Sequence, residues 1–218
     1  MTSPPKELVV LAADSHIEQT LLGLLPRYQA FGIRRFPFSS SDILVHPEKD
    51  GGCRTTGAEL LRNFCRQYRH ALLMFDHTGC GREAVAPDEL ERLLDDELGR
   101  TGWADRARTI VLHPELEVWV WSPSPAVDRV VGWSGRLPGL RDWLVHNEWA
   151  ASPSQKPQQA KEALQAALRE VNKAPSAQLF RKLAAEVSFQ ACQDRAFVRL
   201  WKTLKDWFPP LESQESPP

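Results

Sequence analysis

Apolar residues fall along the first half of the chain in two patterns: short unbroken runs, and longer stretches with an apolar position every three or four residues. Glu7-Leu-Val-Val-Leu-Ala-Ala13, Ala71 to Phe75 and Thr109-Ile-Val-Leu112 are of the first kind. Runs of this length and composition predict strands covered on both faces, as in a parallel α/β sheet. Of the second kind are Ile17, Leu21, Leu24 and Leu25, closed by Pro26; Leu60, Leu61, Phe64 and Tyr68; and Leu90, Leu93, Leu94 and Leu98. These one-sided stripes predict helices starting at Asp14-Ser15, spanning about Thr56 to Tyr68, and spanning Pro87 to Gly99. Ser15 with Glu18 three residues on reads as a capping box, and Asp14 is the alternative cap. Pro87 suits a first helical turn. Gly32 to Phe38 reads as a second strand and Ser41 to His46 as a short third, with Pro37 placing an edge or kink between them. His46-Pro-Glu-Lys-Asp-Gly-Gly52 reads as a polar turn, a place where α/β scaffolds also carry functional loops. The acidic run Glu89, Glu91, Asp95, Asp96 and Glu97 reads as the solvated face of its helix.

His113-Pro-Glu-Leu-Glu-Val-Trp-Val-Trp121 fits two structures. On a strand, Glu115 and Glu117 would share a face. On a helix begun by Pro114 they would point roughly 200° apart, and only one would enter a cleft. The helix is the favoured reading, with Glu115 or Glu117 inward and Trp119 or Trp121 against the sheet. Residues 122–153 are rich in proline, glycine and tryptophan, with a short helix expected from Leu137 to Trp149. Three helical patterns follow: Lys156 to Val171, Ser176 to Val187, and Asp194 to Phe208 with Asp194 as cap. This order predicts an open, mostly parallel α/β sheet flanked by helices over residues 1–135. A tryptophan-rich helical extension, 136–208, would pack on it, and residues 209–218 read as a disordered tail.

The composition fits that picture: 218 residues, 42% hydrophobic and 25% charged, with a formal net charge of -1. Such a balance supplies a real core and gives no global basic field for gripping nucleic acid. Four cysteines (Cys53, Cys65, Cys80, Cys192) form no CxxC pair. With no signal peptide and no long apolar run, they point to a reduced, cytoplasmic setting away from membranes. The eight tryptophans lie after residue 100, which predicts aromatic packing surfaces or an interface.

Candidate chemistry gathers at the strand ends. Asp14 follows the first strand, Asp76 the central one, and Glu115 or Glu117 the next. In open α/β sheets ligands bind at that edge. Oxygen-only ligands select a hard cation such as Mg²⁺ or Mn²⁺, which serves phosphoryl chemistry. In that reading Asp14, Asp76 and Glu117 hold the metal and are catalytic, Glu115 is a further metal ligand, and His77, Lys156 and Lys161 touch phosphate. The chain has no Walker loop, no GxSxG elbow and no GxGxxG turn. Cys80 lies near the same edge as His77 but has no orienting partner in the sequence.

A resemblance adds to this reading. Asp14 with Glu18, the apolar strand into Asp76, and Pro114-Glu-Leu-Glu-Val-Trp119 resemble the Toprim-like family of unknown function found beside bacterial defence genes. Ala12-Ala-Asp-Ser15, His46 to Cys53, Phe75-Asp-His-Thr-Gly-Cys-Gly-Arg-Glu83, Gly102-Trp103 and Cys192 to Phe208 are similar to the small Toprim-like component of methylation-associated phage-defence systems. The resemblance implies a Toprim-like fold and a subunit acting with other defence proteins, with divalent-metal-dependent phosphoryl or nuclease chemistry on nucleic acid. A stand-alone Mg²⁺-dependent nuclease is the alternative it allows. By the resemblance, Asp14 stands where Toprim enzymes place a glutamate general acid/base, and Asp76 is the first acid of their Asp-x-Asp pair. The chain departs at both points: residue 14 is the shorter acid, and Thr78 replaces the second acid of the pair. A metal would then draw on Glu115 or Glu117.

Overall fold

The computed structural model describes residues 4–190 and 192–210. Four strands, β1 (Lys6–Ala12), β2 (Ile43–Val45), β3 (Tyr68–Asp76) and β4 (Ala107–Leu112), form one open sheet in the order β2-β1-β3-β4, with every neighbouring pair parallel. The central pair runs in register from Lys6 opposite Tyr68 to Ala12 opposite Met74, and Asp76 lies opposite Leu112 on β4. Leu8 to Ala13 and Ala71 to Phe75 are buried, as unbroken apolar runs require when helices cover both faces. The helices are α1 (Ser15–Leu24), α2 (Tyr28–Phe31), α3 (Lys49–Arg62), α4 (Pro87–Leu98), α5 (Pro125–Val131), α6 (Leu140–His146), α7 (Ala160–Glu170), α8 (Ala177–Glu186) and α9 (Arg195–Trp207). The α3 helix lies on β1 and β3, α4 on β4, α8 along α1, and α9 against β4.

The open parallel α/β sheet and its C-terminal helices follow the hydrophobic pattern, but several elements differ from expectation. Gly32 to Phe38 forms no strand. Its backbone turns to the end of α9, where the Arg34 amide donates to the Phe208 carbonyl at 3.0 Å and the Phe36 ring stacks on Phe208 at 4.0 Å. The polar turn expected at 46–52 is largely helical, so α3 begins at Lys49 rather than Thr56, and Tyr68 opens β3 instead of lining a helix. Glycine at position 52 reflects close approach: a β-carbon there would lie 2.2 Å from the His46 ring. Asp14, not Ser15, caps α1, its Oδ1 accepting from the amides of His16 and Ile17 at 2.9 and 3.0 Å. The short helix expected from Leu137 to Trp149 is α6, and α5 precedes it as a helix the sequence pattern did not mark.

The acidic face of α4 is also not simply solvated. β4 is an edge strand, so the outward amides and carbonyls of Thr109 and Val111 have no strand partner. Glu91 accepts from the Val111 amide at 2.9 Å and Asp95 from the Thr109 amide at 2.6 Å. From α9, Arg195 donates to the Val111 carbonyl at 2.8 Å and Arg199 to the Thr109 carbonyl at 2.9 Å. The four side chains then pair with one another, Arg195 and Arg199 with Glu91, and Arg199 with Asp95. Side chains from two helices thus supply the hydrogen bonds that a fifth strand would make.

The tryptophans pack inward. Trp103, Trp121 and Trp133 are buried, and the indole N–H groups of Trp119, Trp121 and Trp201 donate to Asp194, Ala160 and Phe31. Of the tail expected to be disordered, Pro209 and Pro210 have no regular structure, and residues 211–218 lie outside the described residues.

Candidate metal centre

The carboxyl ends of β1, β3 and β4 bring their following residues to one rim. Asp76 closes β3; its amide donates to Asp50 Oδ1 at 2.8 Å, and its own Oδ1 accepts from the Leu116 amide at 2.9 Å. The Thr78 amide donates to the Pro114 carbonyl at 3.0 Å, tying together the loops after β3 and β4. After Pro114 the chain does not enter an α-helix. Glu115 is extended, with φ −158°, and only Leu116–Trp119 form a 3₁₀ turn. The roughly 200° separation expected for a helix therefore does not apply. Both glutamates turn inward, Glu115 8% and Glu117 5% exposed. One carboxylate oxygen from each of Asp76, Glu115 and Glu117 falls within 4.8 Å of the other two.

Charge explains why this grouping is unusual. Burial pushes the Asp76 carboxyl well above its usual range, and the charges of Asp50, Glu117 and Asp14 push it further. Glu117 is raised from 4.5 to about 7, first by burial and then by Glu115, against the opposing pull of Lys161. Asp50 is raised by burial, with a further push from Asp14. Carboxylates desolvated this close together hold protons or need a cation. Lys161, in the first turn of α7, supplies one, with Nζ 3.1 Å from Glu115 Oε2. Burial pulls its ammonium down, but the bond to Glu115 and the charges of Glu117 and Asp76 outweigh that and hold it raised. Among the described residues, Lys161 acts on Glu115, Glu117, Asp76 and Asp50 together. The donor set is all oxygen, which fits a hard divalent cation rather than zinc or a soft metal.

Comparison with protein-family models, with curated proteins and with solved structures finds no match. The site is accordingly read from its own residues.

Of the residues singled out in the sequence, Asp76, Glu115 and Glu117 converge, and Lys161 joins them. Asp14 sits close enough to act on the charges of Asp76 and Glu117, but its Oδ1 is committed to the α1 cap. His77 is buried beneath the rim: Nε2 lies 2.9 Å from the Val85 carbonyl and Nδ1 3.0 Å from His113 Nδ1. A carbonyl only accepts, so Nε2 carries the proton and Nδ1 accepts from His113. Both ring nitrogens are thus occupied inside the protein. Lys156 donates to the Val118 carbonyl at 2.9 Å, fastening the chain before α7 to the 3₁₀ turn. Asp50 is the participant that sequence reasoning missed. Its signal was present in Lys-Asp-Gly-Gly, but two glycines read as a turn, when they begin a helix that carries the acid to the rim. No described helix is long and apolar enough to cross a membrane.

Proposed function

We propose that Asp76, Glu115 and Glu117 bind a divalent cation, Mg²⁺ or Mn²⁺, and that the protein is a Toprim-like subunit of a bacterial anti-phage defence assembly using this site on phosphate esters of nucleic acid. The observation that carries the cation reading is the 4.8 Å convergence of three carboxylates, two of them buried, with the Lys161 ammonium on Glu115. A bound cation would polarise a phosphoryl oxygen and make water a better nucleophile. The protein's own groups do the positioning. The Leu116 amide holds one Asp76 oxygen, Asp50 fixes the Asp76 backbone, and Lys161 holds Glu115 at the rim. Asp14 Oδ2 takes no part in the α1 cap and is the group available for acid/base work at the first strand end.

The defence role rests on the order of the motifs around Asp14, Asp76 to Glu83, and Pro114 to Trp119. A stand-alone Mg²⁺-dependent nuclease is the second reading, favoured by Asp50, Glu115 and Glu117 making up for the acid absent at Thr78. Calorimetric titration with Mn²⁺ at pH 8 tests the cation site: wild type gives a saturable heat that Asp76→Asn removes, and equal heats in both proteins refute it. Phage plating with the neighbouring defence proteins co-expressed separates the two roles. A subunit of the assembly restricts phage only with those proteins present, whereas a stand-alone nuclease degrades DNA alone in Mn²⁺.

A further inference from the structure

We infer that the Gly79–Gly81 loop is a phosphate-binding site, closed in the free protein by the carboxylate of Glu83. The loop leaves β3 directly after Asp76 and passes through two glycines with φ of +90° and +75°, a conformation that side chains rarely adopt. Their amides point the same way, and both donate to one oxygen, Glu83 Oε1, at 2.9 and 3.0 Å. Converging amides of this kind form a concavity for anions, and here an anion already fills it. Backbone hydrogen bonds hold the Glu83 carboxyl below its usual range, the mark of a carboxylate acting as ligand. The Gly79 and Gly81 amides, with its own backbone, anchor this carboxylate. Gly79, Gly81 and Glu83 are all exposed, so an incoming group meets no barrier of packing.

A cation, Arg54, stands beside the loop. Buried Cys80 pins the loop between the two glycines, and its carbonyl accepts from Arg54 Nε. The same guanidinium lies 3.6 Å from where a Gly81 side chain would begin. A terminal phosphate monoester has three acceptor oxygens and close to two charges, so it can take both amides and still face Arg54. On the other side, Asp50 Oδ2 lies 3.7 Å from the corresponding point at Gly79, and Asp50 also receives the Asp76 amide. The two amides therefore lie next to Asp50, the residue that also fixes the backbone of Asp76. Its role in seating a phosphate ester for that cation rests on the preceding reading, but its capacity to bind phosphate does not.

The test uses the full chain, ¹⁵N-labelled, in EDTA, titrated with inorganic phosphate while the Gly79 and Gly81 amide resonances are followed. Glu83→Ala removes the occupant and is expected to bind phosphate about tenfold more tightly than wild type. Glu83→Gln, which keeps an acceptor without the charge, falls between the two. Equal phosphate affinity in all three proteins, or perturbations centred away from Gly79, Gly81 and Arg54, overturns the inference. Because no cation is present, this result is independent of the Mn²⁺ titration: loss of the metal heat would sink the cation reading and leave the phosphate arm standing.

Discussion

Replacing Glu117 by glutamine should stabilise the metal-free protein, which is the reverse of what removing a buried, well-paired carboxylate does. The carboxyl is pushed from 4.5 to about 7 in the folded state, mainly by burial. A folded pKa above the unfolded one means that the folded protein holds the proton more tightly. Stability is then greatest below pH 4.5, falls as pH rises toward 7, and stays low beyond it. At about 1.4 kcal/mol per pKa unit, the charged Glu117 costs about 3 kcal/mol at pH 8. Glutamine keeps the shape and discards the charge, so Glu117→Gln should recover much of that penalty at pH 8 and nothing at pH 4. Urea unfolding in EDTA across this range measures the difference directly. Saturating Mn²⁺ should reverse the order, because the cation stabilises the form that retains its ligand. A variant no more stable than wild type at pH 8, or a gain that does not change with pH, would refute the account of charge at this rim.

Three further outcomes follow from other parts of the molecule. Glu91→Ala should cost about 3 kcal/mol in urea unfolding, since it strips the Val111 amide and leaves Arg195 and Arg199 without their shared, 1% exposed acceptor. Adjacent glycines in α3 should behave oppositely in thermal melts. Gly51→Ala meets only an ordinary contact at 3.8 Å and should gain up to about 1 kcal/mol of helix propensity, whereas Gly52→Ala drives into the His46 ring and should lose about 2 kcal/mol. Asp14→Asn preserves the α1 cap and should leave stability within about 0.5 kcal/mol, while Asp14→Ala loses about 1 kcal/mol. In calorimetry neither change should abolish Mn²⁺ binding as Asp76→Asn does.

The sheet was legible because its strands are buried on both faces: Leu8 to Ala13 and Ala71 to Phe75 have no polar position to blur the run. Amphipathic α1, α4, α8 and α9 were legible for the complementary reason. What escaped was decided at a distance. Phe36 looks like a strand residue until Phe208, far along the chain, supplies its partner ring. Gly51 and Gly52 look like a turn until His46 is seen to need the space. Glu91 and Asp95 are indistinguishable from Asp96 in a list of helix acids, and only the presence of an edge strand beside them gives them work. At the site, Asp76 and the Glu-x-Glu spacing could be read, but not that both glutamates enter together, because that depends on one extended residue before a 3₁₀ turn.

The belt of Glu91, Asp95, Arg195 and Arg199 also limits how the protein can associate. A strand donated by another molecule normally adds to a sheet through unpaired edge amides, and along β4 those amides are already taken. Growth of the sheet into a continuous intermolecular ladder is barred on that flank, and β2, at three residues, offers little length on the other. Any larger complex must therefore be built from helix faces and loops. Loss of Glu91 and Asp95 would free those amides and turn a self-limiting fold into one prone to aggregate.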